Sequence, residues 1–381
     1  MSHPVMTRMV TALLALLACL ASSAASAGMW YLNGKGTDTP YGIWAFGEDG
    51  LPLAAAPVVR ATDAETHIAW PSAIKDGPTT RLYASVYNEG WKTVRLYTAS
   101  HGVEFIDQGP VFAANGDEPY GIGPAYVMRD PAGPDPYVMY YLVRGQRGPG
   151  NDIAVATSPD GRTWTRHGVI LSASLPEEAG GLSVSYACRE RSGAMVLLYQ
   201  GYDADLAKGV ALVATAPGPT SGFSDRVIIK SWDGFSATVR GIAGEKAGHV
   251  HAGAKVPIGI PLLIAGSPAE PIVATRQEGT RIWFDRPLLN AHADSRLYSM
   301  ARNKVEMSYI RQMPDGSWTG IATLYKPAAL AAEYTTALSS PTLQGVWDYD
   351  RTGFTFEPSH PETRESLENP TPLVDTASCS N

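Results

Sequence analysis

The sequence predicts an all-β protein, and three observations lead to that prediction. Short runs of alternating apolar residues recur along the 381-residue chain, which is the pattern of half-buried β-strands. The 38 glycines and 29 prolines suit many tight turns between such strands. One hairpin pattern also repeats in order at spacings of about 50–60 residues, the span of one four-stranded blade of a β-propeller.

The repeated unit is an alternating strand, a Gly-containing turn and a second short strand. Its clearest copy is Asp152–Thr157, followed by the turn Ser158–Trp164 and then Gly168–Leu171. A glycine in the turn allows positive φ, which tight β-hairpins require. Copies of this unit lie in five segments, namely 42–59, 94–112, 152–171, 210–229 and 271–289.

Each later hairpin is preceded by two more β-rich runs, such as Arg81–Tyr87 and Tyr137–Leu142, so the unit has four strands. The first hairpin lacks inner strands, and a last set of strands, Leu297–Tyr325, lacks a full hairpin. Joining these two sets closes a ring without an exposed sheet edge. We therefore predict a five-bladed β-propeller at 28–326, closed by the N-terminal hairpin, with a short C-terminal extension packing on it at 327–356. The tail at 357–381 is rich in Pro, Ser, Thr and acidic residues and is expected to be disordered.

The first 27 residues have the pattern of a signal peptide. Arg8 supplies the positive start, Val10–Leu20 is an apolar run too short to span a bilayer, and Ala25–Ala27 is a small-residue cleavage site. The expected location is secreted or periplasmic. Leu16–Cys19 also resembles a bacterial lipobox, and the alternative is a lipoprotein anchored in the cell envelope through Cys19. No later stretch has the length and apolarity of a transmembrane segment.

Charge and cysteine content limit the partners and the cross-links. The net charge of −7 argues against nucleic acid, whose binding needs a basic surface, and it is compatible with a neutral sugar. Beyond Cys19, only Cys188 and Cys379 remain. In an exported chain they could form one disulfide, but a buried Cys188 with a free Cys379 in the tail is the preferred interpretation.

The repeat resembles that of the five-bladed propeller glycoside hydrolases, the group that contains arabinanases, β-xylosidases, levanases and invertases (families 43 and 32 and their relatives). The resemblance rests on Ala156–Thr165, with strand starts such as Trp70–Ile74 and Gly123–Val127 adding to it. It covers most of 42–325, but these motifs specify the blade and not the chemistry.

The resemblance implies a central funnel where the inner strands begin, with three carboxylates from the first three blades. Glycoside hydrolysis needs such carboxylates on either side of the sugar, one protonated and one ionised. The family tends to carry the first two as Asp directly before Pro, where this chain has Trp70 and Gly123. The third, a Glu, would fall near Gly180 or Gly181, just after Glu177 and Glu178. This departure puts the standard mechanism in doubt.

Other polar residues are expected around the funnel, and each also has a structural interpretation. The candidate acids and bases are Glu178, Asp117, Glu118 and Asp294. The candidate sugar-binding residues are His67, Trp70, Arg144, His249, His251 and Arg296. His249 and His251 share one face of an extended strand, but two ligands do not complete a metal site.

These observations predict an exported, glycoside hydrolase-like protein that acts on an extracellular poly- or oligosaccharide by carboxylate acid/base chemistry. The alternative is a non-catalytic carbohydrate-binding or scaffold propeller, which the missing Asp residues before Pro71 and Pro124 favour. No cofactor is expected. A structural divalent cation in the central channel is compatible with the sequence. The sequence does not identify the sugar.

Overall fold

The computed structural model describes most of the chain between residues 28 and 380. The described residues are 28–35, 41–61, 67–87, 91–144, 151–202, 209–231, 236–240, 249–253, 255–256, 258, 261–264, 270–288, 295–299, 304–325, 334–349, 366–376 and 378–380. The predicted leader with Cys19, and Asp294, lie outside the described residues. Within them, no helix is long and apolar enough to cross a membrane.

The first fourteen strands form an N-terminal hairpin and three four-stranded antiparallel units, of which the first and the third belong to larger sheets that include C-terminal strands. In each of these three units, strands pair with their sequence neighbours, as alternating apolar segments joined by short turns do. All nine strand pairings within these units are therefore local. The hairpin strands are β1 (Trp30–Lys35) and β2 (Gly42–Phe46). The sheets contain β3 (His67–Asp76), β4 (Thr79–Tyr87), β5 (Trp91–Ala99) and β6 (Ile106–Ala113); β7 (Ile122–Arg129), β8 (Tyr137–Arg144), β9 (Asn151–Ser158) and β10 (Thr165–Leu171); and β11 (Gly181–Arg189), β12 (Met195–Tyr202), β13 (Gly209–Ala216) and β14 (Ser224–Lys230).

The next segment does not form a further sheet of this kind. Its six strands close on one another in the order β15-β16-β19-β18-β17-β20 around their own apolar cluster, which includes Val250, Leu262 and Ile282. The expected hairpin at 271–289 is present as β18–β19, but it belongs to this closed sheet. The strands are β15 (Ser236–Arg240), β16 (His249–Ala252), β17 (Pro261–Ile264), β18 (Glu270–Glu278), β19 (Arg281–Phe284) and β20 (Ser295–Ser299).

The C-terminal part supplies one more antiparallel set and a strand that pairs with the N-terminal hairpin. The set contains β21 (Lys304–Gln312), β22 (Trp318–Tyr325), β23 (Tyr334–Ser340) and β24 (Asp348–Tyr349), paired in order. The last strand, β25 (Ser366–Val374), pairs antiparallel with β1 and parallel with the end of β3. The 327–356 segment therefore contributes β23 and β24 to the β21 sheet itself.

The disorder expected for 357–381 is wrong for the part of the tail that the structure describes. Leu367 is fully buried in the main core, so this Pro-rich strand is held by packing that composition alone does not reveal. Pro370 falls where the β1–β25 register shifts, a place where a missing N–H is tolerated. The N-terminal hairpin thus pairs with β25, and not with the strands at 297–325 as predicted. Five blades stay a prediction.

Five strands, β3, β7, β11, β21 and β25, surround a cavity of about 10 Å³. Each of these strands has a β-bulge beside the cavity, and a bulge changes the direction in which the neighbouring side chains point. The register shifts lie between Ala69 and Ser72, Ile122 and Ala125, Val184 and Tyr186, Met307 and Tyr309, and, on the β25 partner strand β1, Tyr31 and Asn33.

Aromatic rings pack between these inner strands. Tyr126, Tyr186 and Tyr309 follow one another at centroid distances of 5.0 and 5.1 Å, and Trp30 lies 5.3 Å from Tyr309. Such offset and edge-on contacts are favourable beyond the apolar area that they bury. The rings link β7, β11, β21 and β1 into one core.

A disulfide joins Cys188, on β11, to Cys379 after β25, so the preferred interpretation of a free Cys379 is wrong. Both cysteines are fully buried. The backbone around Cys379 also bonds to the body, because its N–H donates to the Arg189 carbonyl and its own carbonyl accepts from Gln312. The tail beyond β25 is therefore fixed at residues far away in sequence.

The predicted turn Ser158–Trp164 is built around Asp160. Its Oδ1 accepts hydrogen bonds from the N–H groups of Arg162 at 2.7 Å and Thr163 at 2.8 Å, and from the Ser158 hydroxyl at 3.0 Å. The N–H groups of Thr163 and Arg162 lower the pKa of Asp160 to about 2.

Replacing Asp160 with Ala is expected to lower stability in a pH-dependent way. Because the folded-state pKa is depressed, the contribution of Asp160 is fully present above the ordinary aspartate pKa of 3.8. It is lost as the pH falls towards about 2. Denaturant unfolding of both proteins at several pH values checks this. A stability difference that does not shrink on acidification contradicts it.

Candidate functional site

Glu178 lies in a 3-10 turn before β11 and is fully buried. Its Oε2 accepts from the N–H groups of Ser174 and Leu175, at 2.7 and 3.0 Å, and from Arg226 Nη1 at 2.7 Å. Its Oε1 accepts from the Tyr199 hydroxyl at 2.7 Å. Because protein donors occupy both oxygens, this carboxylate presents none to a substrate, and its environment favours a structural role.

Glu118, before β7, has the same surroundings. It accepts from the Tyr141 hydroxyl at 2.8 Å, from the Asn115 N–H at 3.1 Å and from Arg166 through both of its oxygens, at 3.0 and 3.2 Å. In both clusters the arginine follows the glutamate by 48 residues. We call each cluster a carboxylate cage: a Glu before the first strand of a sheet, a Tyr on its second strand and an Arg on its fourth.

Removing the phenol hydroxyl from one cage by Tyr199→Phe is expected to destabilise the protein by about 1.5–3 kcal/mol, the usual worth of a hydrogen bond to a charged group. Tyr141→Phe provides the matched change in the other cage. Chemical denaturation measures both. Loss of less than half a kcal/mol in each variant would show that the cages do not stabilise the sheets.

The other candidates in the first two sheets divide into exposed and inward residues. Asp117 and Arg144 are exposed, and Asp117 donates its backbone N–H to the Asn115 side chain. His67 begins β3, where its Nδ1 accepts the Tyr41 N–H at 3.3 Å. Trp70 lines the central cavity. Its backbone has a φ of 51°, an uncommon conformation for a bulky residue, and donates to Asn33 Oδ1 at 2.9 Å.

The remaining candidates belong to the six-stranded closed sheet. His249 and His251 are on β16, and Arg296 is on β20; the side chains of His249 and Arg296 are outside the described part. His251 Nδ1 is 3.1 Å from the Thr280 hydroxyl. Strand pairing places these residues in a different sheet from His67 and Trp70. Across the described residues, no three His, Cys, Asp or Glu side chains group as metal ligands.

Two carboxylates that the sequence analysis did not select lie on the inner strands. Glu306 is on β21 and Glu368 is on β25, with exposed fractions of only 6% and 7%. The Tyr202 hydroxyl donates to Glu306 Oε1 at 2.6 Å, and the Tyr41 hydroxyl donates to Glu368 Oε1 at 2.7 Å. Each carboxylate thus lies near the start of its own strand and is held in position by a tyrosine hydroxyl from another part of the chain.

Tyr202 connects the two carboxylates electrostatically. Burial raises the pKa of Tyr202 well above its usual range, and the negative charges of Glu306 and Glu368 raise it further. The phenol therefore keeps its proton and acts as a hydrogen-bond donor. Tyr202 thus donates to one buried carboxylate and lies within electrostatic range of the other. We call Glu306, Glu368, Tyr202 and Tyr41 the carboxylate site.

Glu306 has the same spacing to a core tyrosine as one residue on each of two other inner strands. It precedes Tyr309 by three residues, as Gly123 precedes Tyr126 and Ser183 precedes Tyr186, and these three tyrosines pack together. Gly123 is one of the two positions where the resemblance led us to expect Asp. The carboxylate of Glu306 thus lies three residues before one of the packed tyrosines, and this spacing is the signal in the sequence that points to it.

The sequence matches no family model and no curated protein. Several solved glycoside-active enzymes resemble the chain in structure. An endo-arabinase from Bacteroides thetaiotaomicron is 12% identical, with 74% of this chain and 78% of that chain covered and a TM-score of 0.44. An arabinanase from Bacillus subtilis is 12% identical, with 78% of each chain covered and a TM-score of 0.42.

A β-1,2-mannobiose phosphorylase from Listeria innocua is 15% identical, with 56% of this chain covered and a TM-score of 0.40. The match spans 62% of the phosphorylase, less than two thirds of its length. The similar structures thus include arabinanases, which belong to the group that the sequence resembles.

Proposed function

We propose that this protein is a glycoside hydrolase-like enzyme that uses Glu306 and Glu368 as its acid/base carboxylates on a poly- or oligosaccharide. The observation that carries the proposal is the buried carboxylate pair beside Tyr202. Hydrolysis of a glycosidic bond uses two carboxyl groups that flank the sugar. Charged residues are almost never fully buried unless they are paired, and these two lie on strands that line one cavity.

The two carboxylates have complementary tasks in this proposal. One, as the acid, gives its proton to the departing glycosidic oxygen, while the other, ionised, either activates a water or attacks the anomeric carbon. The Tyr202 hydroxyl fixes the position of Glu306, and the Tyr41 hydroxyl fixes that of Glu368. His67, which accepts the Tyr41 N–H, then lies at the edge of the site as a sugar-binding residue.

The proposed architecture is a five-bladed propeller with a revised set of blades. Its innermost strands would be β3, β7, β11, β21 and β25, and the N-terminal hairpin would close the ring by joining β25. Support comes from the cavity that residues of all five strands line and from the bulge at the same level in each. The six-stranded closed sheet would then be an insertion between the third blade and the β21 sheet.

An exported location fits the same account. The leader pattern of residues 1–27 supports secretion or periplasmic delivery, with lipidation of Cys19 as the alternative. The Cys188–Cys379 disulfide adds support, because structural disulfides persist mainly in oxidising compartments.

A non-catalytic carbohydrate-binding propeller is the second candidate. Trp70 and Gly123 occupy the positions before Pro71 and Pro124, where hydrolases of the group that the sequence resembles carry Asp. A binding protein has no need of an acid and a base, and Trp70 then becomes a surface on which a sugar ring stacks.

Release of reducing sugar by purified residues 28–381, across a panel of furanose and pyranose polysaccharides, separates the candidates. Release from at least one glycan supports the enzyme. Retardation in affinity electrophoresis without any release supports the binding protein. If no glycan shows either release of reducing sugar or retardation, both proposals are overturned.

A further inference from the structure

The cavity between the inner strands contains buried polar atoms that lack partners. Its lining includes Ser308 of β21 and Asn369 of β25, with exposed fractions of 5% and 8%. Ser308 Oγ and Asn369 Nδ2 have no hydrogen-bond partner in the described part of the chain. An unpaired buried polar group lowers stability, and native structures rarely keep two of them around one space without something to bind.

A third polar group extends this arrangement to β11. Ser185 also lines the cavity, and its Oγ accepts from Gln200 Nε2 at 2.8 Å, so its own hydroxyl hydrogen is available for donation. Three strands therefore direct small neutral polar groups into one space. Between them these groups offer two hydroxyls and one amide N–H.

The volume and the chemistry of the lining define the occupant. A cavity of about 10 Å³ is at the lower limit for one water molecule. A divalent cation such as Ca²⁺ takes six to eight oxygen ligands, with carboxylates among them, whereas the groups here are neutral and one is an N–H donor. The divalent cation considered from the sequence therefore does not fit this cavity.

We propose that the cavity binds a single ordered water molecule that joins Ser308 to Asn369. The described parts of β21 and β25 do not pair through their backbones. The water is then a hydrogen-bonded link between the two strands that carry Glu306 and Glu368. Glu368 directly precedes Asn369, and Glu306 is two residues before Ser308, so along both strands the link lies within two residues of a proposed acid/base carboxylate. This inference does not depend on hydrolysis.

A high-resolution crystal structure of the protein is the direct test. The expected result is one density peak at about 2.7–3.2 Å from Ser308 Oγ and from Asn369 Nδ2, without anomalous signal and without stoichiometric metal in the purified protein. An empty cavity, or a peak with anomalous signal, would overturn the proposal.

Two substitutions test the same proposal in solution. Ser308→Ala removes one partner of the water, and Tm is expected to fall by roughly 2–4 °C. Thr323→Val is the matched control, because Thr323 Oγ1 is also buried without a partner but does not line this cavity; its Tm should not fall. Equal losses in both variants contradict the water site.

Asn369→Asp tests the identity of the ligand, since Asp has the same shape and also tolerates the φ of 52° at this position. Chelator should leave the Tm of the unchanged protein as it is, and the variant should melt at a lower temperature, with or without Ca²⁺, because a carboxylate oxygen replaces the amide donor. A fall in the Tm of the unchanged protein on adding chelator would instead show a metal site.

Discussion

Replacing Glu306 with Gln is expected to lower kcat on a hydrolysed glycan by about 10²–10⁴-fold, the usual contribution of a positioned acid or base. Gln keeps the size of the side chain and can still accept the Tyr202 hydrogen bond, but it neither carries a proton to the sugar nor takes one. Glu368→Gln is expected to act in the same range. Initial rates at saturating substrate measure both effects.

Asp117→Asn is the matched control for the carboxylate variants. Asp117 is an exposed carboxylate before β7, so its rate should be unchanged. The Tm of each protein must also stay close to that of the unchanged chain. If Glu306→Gln keeps full activity, or if Asp117→Asn loses as much, the carboxylate site is not where the reaction occurs.

Replacing Cys188 and Cys379 together with Ser is expected to lower the free energy of unfolding by about 2–5 kcal/mol. The disulfide closes a loop of 191 residues in sequence separation, and removing it returns conformational freedom to the unfolded chain. It also frees the tail after β25, the strand that carries Glu368 and pairs with β1 and β3.

Urea unfolding of the oxidised protein, the reduced protein and the double variant provides the comparison. The reduced protein and the variant should have similar midpoints, both below that of the oxidised protein. Identical midpoints for all three would mean that the cross-link does not hold the tail. Protease digestion should also cut the tail first in the variant, because a released terminal strand exposes its backbone.

The hairpins of the first three sheets could be predicted because their signals are local. Asp160 and Gly161 in the turn after β9 specify the reversal of the chain, and alternating residues specify the strands on either side. The closed sheet of β15–β20 could not be predicted in this way. It contains a hairpin of the same kind at β18–β19, and the partners of such a hairpin depend on distant strands.

In the tail, composition and burial point to different structures. Pro370 and Pro372 indicate an unpaired segment, yet Leu367 packs into the main core and the strand completes a sheet. Long-range pairing of this kind leaves no periodic signal in the segment itself. Glu368 was therefore assigned to a tail without structure.

The sequence selects carboxylates by their position along the chain and not by their surroundings. The expectation of carboxylates where the inner strands begin led to Glu118 and Glu178, which stand directly before β7 and β11. The structure shows that a Tyr and an Arg saturate both of them. These partners lie far from the glutamates in sequence. The segment around each glutamate therefore does not reveal whether its carboxylate is held by the protein or faces a substrate.

A crystal structure of the Glu306→Gln variant soaked with an oligosaccharide of the hydrolysed glycan is the most direct test of the carboxylate site. We expect a sugar ring between residues 306 and 368, with the side-chain carboxamide carbon at position 306 and the carboxyl carbon of Glu368 roughly 5–10 Å apart across the scissile bond. A sugar bound elsewhere, for example against Asp117 and Arg144, with residues 306 and 368 out of its reach, would contradict it.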